Sequence, residues 1–238
     1  MNITQGKKTR AQKVVIYGAE GIGKTTLASQ FPDPLFLDLE EGSSQLDVKR
    51  VDDISTWKAF GDVLAEVIKD PTVCRTLVID TADKAEQMAT LAVCQEKNVQ
   101  GIEDIGYGKG YTYLAEKLAS FISMCDLIVK KGVNVIIIAH AAMRKFEQPD
   151  EMGAYDRWEL KLSKKVAQLL KEWADMVLFL NYKTTVLKVK DGPAKATGGE
   201  RVVYTSHHAC WDAKNRHGLP EMFQLSYEPL RQIFEGGK

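Results

Sequence analysis

Short aliphatic runs alternate with longer amphipathic stretches along most of this chain. KVVIYG (13–18), LFLDL (35–39), TLVID (76–80), VNVIIIA (133–139) and MVLFLNY (176–182) are nearly continuous in apolar residues and read as buried strands. Between them the apolar residues fall at helical spacing. Trp57, Phe60, Leu64, Val67 and Ile68 make one stripe in 55–69, and Leu162, Val166, Leu169, Leu170 and Trp173 another in 160–174. The alternation predicts an α/β fold with a mostly parallel central sheet, helices on both faces and a ligand site beyond the carboxyl ends of the strands. After residue 182 the period changes: TTVLKVK and RVVYTS flank the turn-rich DGPAKATGGE, which reads as a β-hairpin extending or capping the sheet. No internal repeat or linker interrupts the chain, so we expect a flexible tail over 1–10 and a single domain over 11–238.

The first strand runs directly into GAEGIGKTT, a G-x-x-x-x-G-K-T motif. In such a loop the backbone N–H groups of Gly18, Ala19, Glu20, Gly21, Ile22, Gly23, Lys24, Thr25 and Thr26 converge on phosphate oxygens. Lys24 reaches the β and γ phosphates, and the Thr25 hydroxyl holds Mg²⁺. With a strand before it and a helical stretch after it, the motif predicts a nucleotide site that takes ATP and Mg²⁺. Asp80, at the end of TLVID, stands where a carboxylate orients that Mg²⁺ through water. TLVIDTAD is not the D-x-x-G of a GTPase at this strand, and Thr81 occupies the place of the glutamate that some ATPases carry beside the aspartate. The water-activating base is therefore sought elsewhere. LFLDLEEG places Glu40 just past a strand end, with Asp38 on the same side and Glu41 as its competitor; a carboxylate on a strand adjacent to the phosphate-loop strand can polarise the attacking water.

These stretches give the chain a resemblance to RecA-like ATPases, whose catalytic glutamate follows the second strand in a segment like Phe36-Leu37-Asp38-Leu39-Glu40. By that resemblance His140, closing VNVIIIAH, stands at the γ-phosphate sensor position, with histidine in place of the usual glutamine. The polar and irregular stretch after it then corresponds to a DNA loop, with Arg144, Lys145 and Arg157 beside Phe146 and Tyr155. An earlier segment, NVQGIEDIGYGKGYTYL, has glycines that keep the backbone supple and Tyr107, Tyr111 and Tyr113 interleaved with Lys109. Aromatic faces stacking on unpaired bases, with a cation on the phosphates, suit single-stranded DNA; a tyrosine-rich lid or core contact is the alternative. WDAKNRHGLP carries Lys214-x-Arg216, which is similar to the turn of RecA-like hexameric helicases that reaches a neighbouring subunit's nucleotide site; a basic surface turn and a DNA-backbone contact are the competing readings. Together GAEGIGKTT, LFLDLEEG, TLVIDTAD, IIIAHAAM and WDAKNRHGLP resemble the phage-encoded minimal RecA-core ATPases of the single-strand annealing recombinase group. The resemblance implies ATP-dependent binding and annealing of single-stranded DNA in recombination or repair. It also implies a homo-oligomeric ring or filament and contact with a single-strand DNA-binding protein.

Charge and composition narrow this further. Thirty-two Lys+Arg balance thirty-two Asp+Glu, so nucleic acid must be held by a local patch rather than by a global field. Four scattered cysteines without a C-x-x-C pair fit a reduced compartment. The amino terminus lacks an apolar secretory segment and VNVIIIA is too short to span a bilayer, so we expect a cytoplasmic protein with no membrane contact, in a bacterial host if phage-encoded. His207, His208, Cys210 and His217 lack a standard zinc spacing, and no metal ligands are assigned to them. Two other functional classes stay open. One is a motor or helicase-loading ATPase driven by protein contacts, and the other is a small-molecule phosphotransferase, for which no arginine-rich lid is visible.

Overall fold

The computed structural model describes residues 1, 3–6, 10–148, 153–187 and 195–235. Its elements run β1 (Lys13–Gly18), α1 (Lys24–Ala28), β2 (Pro34–Asp38), β3 (Lys49–Val51), α2 (Trp57–Lys69), β4 (Thr76–Asp80), α3 (Ala82–Lys97), α4 (Lys109–Lys130), β5 (Asn134–Phe146), β6 (Tyr155–Leu160), α5 (Lys164–Trp173), β7 (Met176–Leu187), β8 (Lys195–Tyr204), β9 (Met222–Gln224) and α6 (Arg231–Glu235). The strands lie in the order β3-β2-β4-β5-β1-β7-β8-β9. The pairings from β3 through β7 are parallel, and β8 and β9 add an antiparallel edge. The α/β fold with a mostly parallel sheet is as the hydrophobic pattern predicts. The β7–β8 pair forms a hairpin at the sheet's edge as expected, but β8 begins at Lys195, inside the stretch read as its turn, and residues 188–194 lie outside the described residues.

Alternation along each strand divides the core in two. Val15 and Tyr17 of β1 face α2, α3, α4 and α5, while Val14 and Ile16 face α1 and the carboxyl-terminal segment. Phe31, just past α1, packs its ring 4.9 Å from Tyr227 and 4.7 Å from Phe234 of α6, which ties the chain's end to the second face. No helix of the described residues is long and apolar enough to cross a membrane.

Three expectations are corrected. β2, which leads to Glu40 two residues past its end, is not adjacent to β1: β4 and β5 lie between them, because neighbours in sequence need not be neighbours in a parallel sheet built from crossovers. The stretch after His140 is largely strand where it is described, and residues 149–152 lie outside the described residues. β5 continues to Phe146 and pairs antiparallel with β6, from Ala141 opposite Leu160 to Phe146 opposite Tyr155. Arg157 of that pair is buried, bonded to Asp212 and set 5.0 Å beneath the Phe146 ring. Nor is the glycine-tyrosine segment a supple loop from end to end, since α4 already begins at Lys109. Gly110 is there for room: a Cβ on it would stand 2.3 Å from the Ile102 carbonyl oxygen.

The two kinds of helical glycine separate in a test. Gly110→Ala forces backbone apart and should cost about 1–3 kcal/mol. Gly61→Ala, in α2 with nothing within 4 Å of its added Cβ, should gain roughly 0.5–1 kcal/mol from helix propensity. Urea midpoints moving in opposite directions at constant m-value are the expected outcome; a neutral Gly110→Ala would mean that the Ile102 turn does not hold α4 in place.

Candidate nucleotide-binding site

At the carboxyl edge of the sheet β1 ends against β7 so closely that a Cβ on Gly18 would sit 2.3 Å from the Leu180 carbonyl oxygen. Only glycine fits, and the chain turns there into the loop. Gly21 (φ 70°) and Gly23 (φ 107°) take left-handed conformations that a side chain disfavours. Helix α1 has just five residues, so an anion here is met by the loop's N–H groups and Lys24 more than by a helix dipole. The Lys24 ammonium is buried and donates to the carbonyls of Gly18 (3.0 Å) and Ala19 (2.8 Å). Burial lowers its pKa, opposed by Asp80, Asp83, Glu20 and Glu40.

Opposite the loop, the Thr25 hydroxyl donates to the Asp80 carboxylate at 2.8 Å. Glu40 is held by the Thr81 hydroxyl, which donates to its Oε1 at 2.8 Å. Asp38 is drawn into the local turn, accepting from the N–H of Gly42 (3.0 Å) and Ser43 (2.9 Å), and Arg50 braces Ser43 from the other side (Nε to Oγ, 3.0 Å). This turn sets Glu40 beside the cleft, whereas Glu41, at φ 58°, is not among the residues lining it. His140 lies level with Gly18 across the β1–β5 pairing. Its N–H donates to Asp83 Oδ2 at 2.9 Å, and its Nδ1 stands 3.5 Å from the same oxygen. That contact raises the imidazole pKa while burial opposes it. A cleft of about 310 Å³ is lined by Glu20, Gly23, Lys24, Thr25, Glu40, Asp80, Thr81 and His140, among others. A hydroxyl and a carboxylate in contact suit a hard oxygen-seeking ion such as Mg²⁺, which keeps waters and shares a substrate's phosphates rather than needing a full protein cage. Ser43, Arg50 and Asp83 escaped the sequence reading, and so did the hold of Thr81 on Glu40, because polar side chains that hold others carry no local motif.

The remaining candidates lie elsewhere. Lys214 bridges Val177 near the start of β7, and Arg216 shares Asp175 with Arg10 (3.2 and 2.6 Å). Both therefore sit at the amino ends of the strands, opposite the phosphate loop of the same chain. Tyr107 is fully exposed at φ 58°, Lys109 is exposed, and the Tyr111 hydroxyl donates to Glu103 at 3.2 Å. Arg144 donates to the Leu162 carbonyl (2.8 Å), while Lys145 is exposed on β5. His208 stacks on Trp211 at 4.2 Å, and His217 bonds to Gln12.

Burial pushes the Asp80 carboxyl up to about 6, with Asp38 and Glu40 adding to the rise and Thr25 opposing it. A folded-state pKa above the unfolded value of 3.8 means that the folded protein binds the proton more tightly, so ionising Asp80 lowers stability as pH rises from about 4 to 6. Without ligand, Asp80→Asn should be more stable than wild type at pH 7.5 by roughly 2 kcal/mol, an advantage that fades as pH falls to 4. Thermal melts across that range check it; a constant difference would remove the titration of Asp80 as its cause.

Comparison with known proteins places this cleft in context. A family model described as an AAA domain (AAA_24) matches residues 10–217. The SPbeta prophage-derived uncharacterized protein YorG of Bacillus subtilis (strain 168) is 28% identical over 145 residues, 58% of this chain and 44% of its own length, so the match spans less than half of that relative. The crystal structure of the KaiC-like protein PH0186 from the hyperthermophilic archaeon Pyrococcus horikoshii OT3 aligns with a TM-score of 0.43 at 16% identity, covering 82% of this chain and 79% of that one. The matched family span contains the whole phosphate loop together with Glu40, Asp80 and His140, and the chain belongs to the AAA_24 family of AAA domains, as a P-loop ATPase.

Proposed function

We propose that this ATPase binds single-stranded DNA and promotes annealing in recombination, working as a homo-oligomer. One observation carries the reading: a single continuous strand, β5, holds His140 in the nucleotide cleft and, past it, Arg144 and Lys145 on the β5–β6 hairpin. A change at the γ phosphate and a change at the hairpin are thereby changes at two points of one hydrogen-bonded strand.

In this mechanism Lys24 and the loop N–H groups bind the β and γ phosphates, and Thr25 and Asp80 would hold Mg²⁺, which would polarise the transferred phosphoryl. Glu40, oriented by Thr81, takes the proton of the attacking water, and His140 donates toward the γ phosphate. Helix α4 brings Lys109 and Tyr111 to the same end of the sheet as the cleft: Thr112 meets Lys165 of α5, and α5 is capped at the Ser163 N–H by Glu86 of α3. Tyr107, with its ring in solvent, offers a stacking face worth roughly 1–3 kcal/mol per base. Steady-state hydrolysis with and without single-stranded DNA, with Lys24→Ala as the blank, tests this directly. We expect strong stimulation by single strands, weak stimulation by duplex, and a reduced stimulated rate in Tyr107→Ala and Lys145→Ala. A rate indifferent to DNA would instead point to a protein activator, as for a motor or helicase-loading ATPase.

Lys214 and Arg216 act, in this reading, on a neighbouring subunit. Five residues of strand separate the two ends of β1, about 17 Å, so they do not reach their own phosphate loop. The Lys214→Ala/Arg216→Ala double variant and Lys24→Ala should each be inactive. Mixed in equal amounts they should recover roughly a quarter of wild-type turnover, because a heterologous interface pairs an intact loop from one with intact cations from the other. Full activity of the double variant, or no recovery on mixing, would refute the assignment in trans.

A further inference from the structure

We propose that Arg201 of β8 is a phosphate-binding residue supplied in cis, which grips the nucleotide at its α and β phosphates from the flank opposite Glu40. The proposal rests on the nucleotide reading of the cleft. The P-loop motif assigns no such residue, since it ends at Thr26.

β8 runs antiparallel to β7, with Val203 opposite Leu180 and Arg201 opposite Tyr182. Val203 is buried with Ile22 and Leu27 on the face that α1 covers. Two residues back along a strand the side chain returns to the same face. Arg201 therefore projects on the α1 side, one step beyond the carboxyl end of β7's buried stretch, where it is exposed. It lies directly against the loop: a Cβ built on Gly23 would stand 3.3 Å from Arg201 Nη1 and 3.0 Å from Leu225 Cδ2. The Arg201 carbonyl in turn accepts from the Leu225 N–H at 2.9 Å, which fixes this corner of the sheet beside the residue that precedes Lys24.

The guanidinium has no hydrogen-bond or ion-pair partner among the described residues. The acid next to it in sequence, Glu200, is taken up by the Gln224 amide. A planar fork of five donors left unpaired beside a phosphate loop is matched to a polyphosphate, where Arg makes two parallel charge-assisted bonds.

The charge balance of the cleft calls for such a cation. Among the described residues Lys24 is the one lysine or arginine lining it, and Asp80, Asp83, Glu20 and Glu40 all act on that ammonium. A triphosphate brought into this setting adds further negative charge, and Mg²⁺ answers only part of it. Arg201 supplies a second full positive charge. The strand order decides which phosphates it serves. Glu40 and Asp80 come from β2 and β4 on one side of β1, while Arg201 comes from β8 on the other. The bond that breaks lies on the Glu40 side, so Arg201 belongs to the α and β phosphates, which ATP and ADP share.

Displacement of a fluorescent nucleotide from the full chain by ATP, ADP and inorganic pyrophosphate, for wild type, Arg201→Ala and Arg201→Lys, tests this. Arg201→Ala should weaken ATP and ADP alike by about tenfold or more, pyrophosphate should weaken in parallel, and Arg201→Lys should recover part of the loss. Because the side chain is exposed, the melting temperature without ligand should stay within a degree or two of wild type. Unchanged ADP affinity in Arg201→Ala overturns the proposal, and so does a loss confined to ATP, which would move the contact to the γ phosphate. A loss for ATP and ADP with pyrophosphate unaffected overturns it as well, by placing the contact on the base or ribose. Failure of wild type to bind any nucleotide is a separate result, which removes the nucleotide reading itself and this proposal with it.

Discussion

Four charged side chains, Lys24, Asp38, Asp80 and Asp83, are each more than nine-tenths buried at the carboxyl edge of one parallel sheet. Burying a charge is costly unless it is paired or hydrogen-bonded, and the local architecture follows from how each is satisfied. Lys24 is held by two loop carbonyls. Asp38 is absorbed into the turn that presents Glu40, Asp80 accepts from Thr25, and Asp83 accepts from the His140 backbone while its second oxygen stays without a partner. The raised pKa of Asp80 measures what remains uncompensated. A site arranged this way favours whatever completes its electrostatics. Nucleotide and Mg²⁺ should stabilise the fold by mass action in proportion to their affinity.

The position of β5 makes that edge a device rather than a row of acids. It separates β1 from β4, with His140 level with Gly18 on one side and Ile138 opposite Asp80 on the other. Had β2 been adjacent to β1, Glu40 would have stood in the place of His140. The intervening strands instead put Glu40 on the far side of Asp80, where the Thr81 hydroxyl holds it. The same strand continues into the hairpin with β6, so His140 in the cleft and the cations proposed to meet DNA share one backbone.

The parts of this arrangement visible in the sequence are those fixed by local chemistry. The five core strands are nearly continuous apolar runs, and GAEGIGKTT specifies a loop because its glycines are needed one by one, Gly18 for the approach to Leu180 and Gly23 for its backbone. Illegible were the features set by sheet order and by packing at a distance. The place of β2 depends on crossovers. The β5–β6 hairpin was hidden because Arg144, Lys145 and Arg157 read as polar loop, whereas Arg157 is a buried ion-pair partner. Gly110 read as freedom when its role is clearance from Ile102. Arg201 sits in a strand with no motif around it, and only the distance to Gly23 marks it.

The proposed role in trans requires Arg216 to leave Asp175. Asp175 is buried, and removing the sole partner of a buried carboxylate costs about 3–5 kcal/mol. Asp175, however, has two guanidinium partners on one oxygen. Arg10 is the closer at 2.6 Å, and Arg216 is the looser at 3.2 Å, with a side chain 61% exposed. If Arg216 left for a neighbour's phosphates, as proposed, Arg10 would keep the carboxylate paired, so only the weaker and more solvent-screened of the two contacts would be given up. A surface ion pair of that kind is worth about 0–1 kcal/mol, less than a charge-assisted bond to phosphate returns. Arg10, assigned by sequence to a flexible tail, would in the proposed role be the residue that frees Arg216 to move.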